Sequence, residues 1–239
     1  MKQLYTLIAI LLLGLGTLQA QTQHYTYRLA KFNELVNKDD VSIDYVSRPD
    51  SAGFVSFEST KDFNNCLILN VDKKGKLTIQ VSVMDLPKGF VMPTLRVYAD
   101  SLRQVTNEGI GTVTVTDPKA SAIFHARLSD NGRLVVNGLH CQNAALRITT
   151  GKGTIIANGE ARELRCNNLG TGTVDALNLS AGTVSCRIVG TGSIFVNCDG
   201  TGPLNVKGTG TGTVTYRGKP TSIKVHKLGP MKVKPYSNK

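Results

Sequence analysis

Three sets of residues in this 239-residue chain could do chemistry. The first is Gly-Thr-Gly, as in NLGTGTV at 168–174. Glycines free backbone amides to turn toward an anion, so such a loop could cradle a phosphate. A phosphate loop, however, completes G-x-G-x-x-G or G-x-x-x-x-G-K-[ST] once per site and opens a helix. Neither pattern is completed here, and the turn recurs along the chain. The second set is cationic: Arg127, Arg147, Arg165, Arg187 and Lys207 follow one another at steps of 20, 18, 22 and 20 residues. Stacked on neighbouring strands, these like charges would repel, and an anion along the row would relieve that repulsion. The third set comprises five cysteines and four histidines. His24, His125, His140 and His226 are scattered and form no zinc-spaced cluster with cysteine. There is no Gly-x-Ser-x-Gly. Asn197-Cys198-Asp199-Gly200 supplies too few carboxylates for a dedicated calcium loop and reads as a corner turn. The residues imply no catalytic group, no cofactor and no metal site.

The elements that must position these residues come from a repeat. Glycines 111, 132, 153, 172, 192 and 212 each precede a strand-like run, at steps of 21, 21, 19, 20 and 20 residues. After each glycine, apolar residues alternate with period 2: Val113 and Val115, Leu134 and Val136, Ile155 and Ala157, Val174 and Ala176, Ile194 and Val196, Val214 and Tyr216. A second alternating pair precedes each turn: Phe124 and Ala126, Leu146 and Ile148, Leu164 and Cys166, Val184 and Cys186, Leu204 and Val206. Asn137-Gly138, Asn158-Gly159 and Arg217-Gly218 mark corners that tolerate positive φ. Strands that return this often with no helix between them must stack on their own equivalents. The expectation is an all-β chain, a parallel β-solenoid of about six coils of roughly 20 residues, rising ~4.8 Å per coil. In its outward row, Asp175 is the one carboxylate beside Thr114, Val135, Ile156, Phe195 and Thr215. A polysaccharide lyase or hydrolase needs clustered groups, and one carboxylate is not a pair. The apolar members of the row suggest either cover by a capping sheet or a partner surface, and an oligomer is compatible with it.

Residues 1–20 read as a secretory signal peptide: a basic start at Lys2, the apolar run LIAILLL at 7–13, and a small residue at Ala20. Export to the periplasm or cell surface follows, with no integral membrane segment after cleavage. Residues 21–108 carry strand-like runs at irregular spacing and read as a smaller β region that caps the solenoid at 109–229. Residues 230–239, PMKVKPYSNK, read as a basic tail. Charge divides at the same place. Residues 21–108 hold 11 Lys/Arg and 11 Asp/Glu, whereas residues 109–239 hold 16 Lys/Arg and 6 Asp/Glu, a net of +10. With no Trp and few aromatics on the repeats to stack bases, nucleic acid is a poor partner for this surface. An acidic glycan or another envelope component fits an exported chain better.

FNELVNKDDVSIDYV at 32–46, GKLTIQV at 75–81, PTLRVYADSLRQVTNEGIGTVTV at 93–115, the repeated Gly-Thr-Gly turns and the closing GTGTVTYRGKPTSI at 210–223 together resemble the head GIN domain family of auto-transporter adhesins. The resemblance implies an exported bacterial protein with a β-helix-like fold and an adhesin-like role; with the thin catalytic constellations, the expectation is a noncatalytic binding protein, the alternatives being a polysaccharide-active enzyme or a purely structural envelope protein. The transport implied by the family's name would need a membrane barrel, and no run of ~10-residue alternating strands remains to build one. Cys166 and Cys186 both lie six residues before a marker glycine, which places them at equivalent inward positions of adjacent coils. A Cα separation of ~4.8 Å would accept a disulfide, but in-register side chains run parallel and favour stacked reduced thiols over a bond.

Overall fold

The structure is a computed structural model that describes residues 22–120 and 122–237. The expected signal peptide at residues 1–20 lies outside the described residues. The early strands are β1 (Gln23–Arg28), β2 (Glu34–Asn37), β3 (Ser42–Ser47) and β4 (Phe54–Ser59). A short helix, α1 (Lys61–Cys66), separates these from β5 (Leu67–Val71), β6 (Lys76–Val81), β7 (Thr94–Ala99), β8 (Gln104–Asn107), β9 (Thr112–Thr116) and β10 (Ile123–Ser129). Three long strands then bend at a corner and serve two sheets each: β11 (Arg133–Thr150), β12 (Thr154–Asn168) and β13 (Thr173–Gly190). The chain ends with β14 (Ser193–Cys198), β15 (Leu204–Gly210), β16 (Thr213–Gly218), β17 (Ile223–Leu228) and β18 (Lys232–Pro235).

These strands stack as two parallel ladders around one apolar core, a β-solenoid of about seven turns. The first ladder runs β7-β3-β9-β11-β12-β13-β14-β16-β18. The second runs β6-β2-β8-β10-β11-β12-β13-β15-β17. The register is the one that the repeat demands. Val113, Leu134, Ile155, Val174, Ile194 and Val214 are successive partners, and all are fully buried. Each inward residue thus sits between its equivalents above and below, and each fully buried Val, Ile or Leu is worth roughly 1.5–3 kcal/mol.

The ladders continue past residue 108, where the charge balance changes. Strands β2 and β3 lie in the stack between the coil made by β6 and β7 and the coil made by β8 and β9. The earliest coil in sequence is therefore second in space. It is locked to its neighbour 70 residues on: Asn37 Nδ2 donates to Asn107 Oδ1 (3.0 Å), Ile110 N to Asp40 Oδ1 (3.0 Å), and Lys38 pairs with Glu108. Capping falls to the antiparallel strands. β4 pairs with β7, β1 with β4 and β5 with β6. Phe63, on α1, is fully buried against the rings of Phe57 and Phe90 and plugs that end of the core. Thr60 caps the helix by accepting from Phe63 N. At the other end, the basic tail starts later than its composition suggests. Residues 232–235 form β18 on β16, and Met231 is buried over the last coil, with Sδ against the space beside Gly208.

Candidate anion-binding face

The Gly-Thr-Gly turns are coil corners. In NLGTG, Asn168 is fully buried; its Oδ1 accepts from Gly170 N (3.1 Å), and its Nδ2 donates to Gly172 O (2.7 Å) and to Ser193 O one coil on (3.2 Å). The loop satisfies its own amide, leaving little for a phosphate to capture. Asn107 does the same for NEGIG, with bonds to Gly109 N, Gly111 O and Arg133 O. Glycine follows because the coils stack backbone on backbone. A Cβ on Gly192 would lie 2.4 Å from Asn168 Nδ2 and 2.7 Å from Gly172 O. The other corners turn through positive φ, as expected at Gly138 (φ 68), Gly159 (φ 125) and Gly218 (φ 88). Asn197-Cys198-Asp199-Gly200 is likewise a turn, in which Asp199 Oδ1 accepts from Thr201 N and Oγ1.

The cationic residues share the outward face of the second ladder, and all five are exposed: Arg127 on β10, Arg147 on β11, Arg165 on β12, Arg187 on β13 and Lys207 on β15. They do not form one row. Arg127 partners Arg147, Arg147 partners Asn167, Asn167 partners Arg187, and Arg187 partners Lys207. The steps of 18 and 22 put Arg165 two residues out, in the adjacent outward row between Ala145 and Ser185, where it pairs with Glu163 at 3.6 Å. The row gains His226, the partner of Lys207 on β17. Among the described residues, no carboxylate lies within 4.0 Å of Arg127, Arg147, Arg187 or Lys207. Two unit charges ~4.8 Å apart in water repel by about 1 kcal/mol, so solvent can carry the row, and each anion bound along it would remove repulsion as well as add attraction. Over the last three coils, the face hollows into a cavity of about 450 Å³ lined by Arg187, Lys207, His226 and Lys227, with Val189 and Leu228 beside them.

On the first ladder, the outward row runs Thr114, Val135, Ile156, Asp175, Phe195, Thr215 in register, and Asp175 Oδ1 is occupied by Leu177 N (3.1 Å). The antiparallel strands join the end of that sheet and do not lie across the row. A third, short side carries His140, Glu160 and Ser180 in register. Among the described residues, no three His, Cys, Asp or Glu side chains gather as for a metal ion, and no helix is long and apolar enough to cross a membrane. Cys166 and Cys186 are adjacent and buried, as their spacing demands, and all five cysteines are free thiols. Contact with Cys166 and burial push the Cys186 thiol well above its ordinary pKa.

The class that the ladders define is a parallel β-solenoid with glycine corners. The chain belongs to the head GIN domain family: the family described as "Putative auto-transporter adhesin, head GIN domain" matches residues 31–220. Its fold recurs in a putative adhesin from Bacteroides fragilis (19% identity, TM-score 0.80, covering 90% of this chain and 97% of that one). It recurs also in a putative adhesin from Parabacteroides merdae (17%, 0.68, 92% and 98%) and a putative lipid binding protein from Parabacteroides distasonis (16%, 0.70, 92% and 98%). No curated protein matches the sequence.

Proposed function

We propose that this chain is an exported, noncatalytic, adhesin-like protein of the periplasm or cell surface that binds an acidic glycan or another anionic envelope component along the second ladder's outer face. The observation that carries this reading is the row Arg127, Arg147, Arg187, Lys207 and His226, which is exposed and, among the described residues, has no carboxylate within 4.0 Å. A repeating polyanion matches this row: basic side chains recur on successive coils on both sides of Asn167, so affinity accumulates by valence rather than by one deep pocket. Asn167 interrupts the row with a neutral hydrogen-bonding side chain, which suits a ligand carrying hydroxyls beside its charges.

The test is binding of the full chain to a polyuronate and to dextran sulfate, with neutral dextran as reference. Arg187→Glu with Lys207→Glu should weaken binding at least tenfold, and moderate salt should weaken the unaltered chain as well. Lys73→Glu with Lys74→Glu, in the turn before β6, should leave binding within about twofold. Equal losses from the two pairs would overturn the reading, because attraction would then follow net charge alone.

A further inference from the structure

The two ends of the solenoid are finished differently. At the first end the chain lays β4 and β5 antiparallel on the outer coil, adds β1 to β4, and plugs the core with Phe63. At the last end, among the described residues, β17 pairs only with β15 and β18 only with β16, so each leaves one edge of backbone N–H and C=O groups without a strand. All six residues of β17 are exposed. Ile223 and Val225 continue the inward columns of Leu204 and Val206, yet they are 43% and 39% exposed where those two are 0%. Leu228 is 73% exposed. Free edges of this kind are ready templates for another strand.

We propose that this end accepts an extended acidic segment of a partner protein, added as one further strand on the β17 edge. Chemistry selects the occupant. Residues 200–239 carry eight Lys/Arg (Lys207, Arg217, Lys219, Lys224, Lys227, Lys232, Lys234 and Lys239) and no Asp or Glu. Along β17, IKVHKL places apolar Ile223 and Val225 in the inward columns and Lys224 and His226 on the outward face. A strand alternating apolar and acidic residues would complete both patterns: its apolar side chains would extend the core columns, and its carboxylates would stand one rung, ~4.8 Å, from Lys224 and His226. A second copy meeting this one end to end would instead set Lys224, Lys227, Lys232 and Lys234 against themselves, a like-charge contact that specific interfaces avoid.

The experiment uses the full chain and three short labelled peptides: alternating valine and glutamate, alternating valine and lysine, and the valine–glutamate peptide with a central proline. Binding is read by fluorescence anisotropy, and backbone protection by amide hydrogen exchange. The valine–glutamate peptide should bind and slow exchange in Ile223–Leu228. The proline peptide, which keeps the charge but breaks the ladder, should bind about tenfold more weakly. Lys224→Glu, on the exposed outward face of β17, should cost the acidic peptide roughly tenfold and reverse the preference toward valine–lysine. Arg127→Glu with Arg147→Glu, at the far end of the cationic row, should leave peptide binding unchanged while reducing polyuronate binding, which separates this proposal from the glycan reading. Equal binding of the proline peptide, or protection centred on β10–β13, would overturn it. So would β17 protection in the chain alone that disappears on dilution as the mass halves, since the occupant would then be a second copy.

Discussion

Replacing Asn168 with alanine measures whether the Gly-Thr-Gly turn is a structural corner. Asn168 is fully buried and makes three hydrogen bonds, to Gly170 N, Gly172 O and Ser193 O, the last belonging to the next coil. Truncation removes a fully buried partner from these backbone groups, of which the Gly172 carbonyl is buried and the Gly170 and Ser193 groups are part-buried. A buried polar group left unsatisfied costs ~1–3 kcal/mol. Gly172 O keeps its bond from Ser193 N, so its share of the penalty is small, and most of the loss falls on Gly170 N and Ser193 O. The expected loss is about 3 kcal/mol, a large share of the 5–15 kcal/mol by which folded domains are stable. The comparison is Asn131→Ala. Asn131 also bridges coils, accepting from Lys152 N at 2.9 Å, but it is exposed, and water replaces the bond for under about 1 kcal/mol. Urea unfolding followed by circular dichroism gives both values. A loss below about 1 kcal/mol for Asn168→Ala, or one equal to that of Asn131→Ala, would refute the assignment of the turn as a self-satisfied corner.

Gly192→Ala should destabilise by about 2–3 kcal/mol, because its Cβ meets backbone and the Asn168 amide. Gly89→Ala, at φ +77 with open space around it, should cost about 1 kcal/mol; equal effects in the same urea titration would refute the stacking account. Alkaline pH should destabilise the fold. Burial, foremost, pushes the Tyr45 hydroxyl to about 12 and the Cys198 thiol to about 11, so the folded state holds these protons after the unfolded chain has released them. Their contribution is complete below pH ~9 and falls as pH rises through 11 to 12, by up to about 3 kcal/mol each; urea midpoints that stay constant from pH 8 to 11 would contradict this. Of the five free thiols, half-buried Cys141 should react first with an aromatic disulfide reagent, and Cys66, Cys166, Cys186 and Cys198 should wait for denaturant. A native mass two hydrogens light would show a bond instead.

The inward columns were legible in the sequence because each of their members is constrained twice, by the coil below and the coil above. Val174 must suit both Ile155 and Ile194, so apolar alternation and glycine spacing together fix the register of the coils. The outward face has no such double constraint. Arg165 and Asn167 point the same way on β12, and a period of 2 does not distinguish i from i+2. The row therefore had to wait for the ladder to show Asn167, and not Arg165, between Arg147 and Arg187. His226 was hidden for a different reason: β17 has lost the glycine marker that identifies the other coils. The buried asparagines carry a sequence signal of their own, since Asn107 and Asn168 each stand four residues before a marker glycine, in NEGIG and NLGTG.

The displaced first coil carries the same asparagine without the glycine. Asn37 stands four residues before Val41 and donates to its carbonyl at 2.9 Å, as Asn107 does to Gly111 O at 2.8 Å. ELVNKDDVSIDYV at 34–46 thus aligns with QVTNEGIGTVTVT at 104–116, residue for residue at an offset of 70, which is the offset of their hydrogen bonds. Glycine is dispensable at 41 because of what stacks there. Gly111 lies over Val41, where a Cβ would come within 2.5 Å of the Val41 carbonyl, so in this pair of coils the later one yields the space and the earlier one keeps a side chain. Between two coils, only one partner need be glycine for their backbones to meet. A repeat search keyed to glycine therefore begins at Gly111 and overlooks the coil beneath it. This coil cannot form from its own neighbours in sequence: its strands find their partners at 76–79, 94–99, 104–107 and 113–116, so residues 34–47 have no ladder to join until those coils exist. The start of the solenoid is completed by chain that follows it, which makes its assembly depend on non-local pairing in a way that the later coils, each stacked on the one just before, do not.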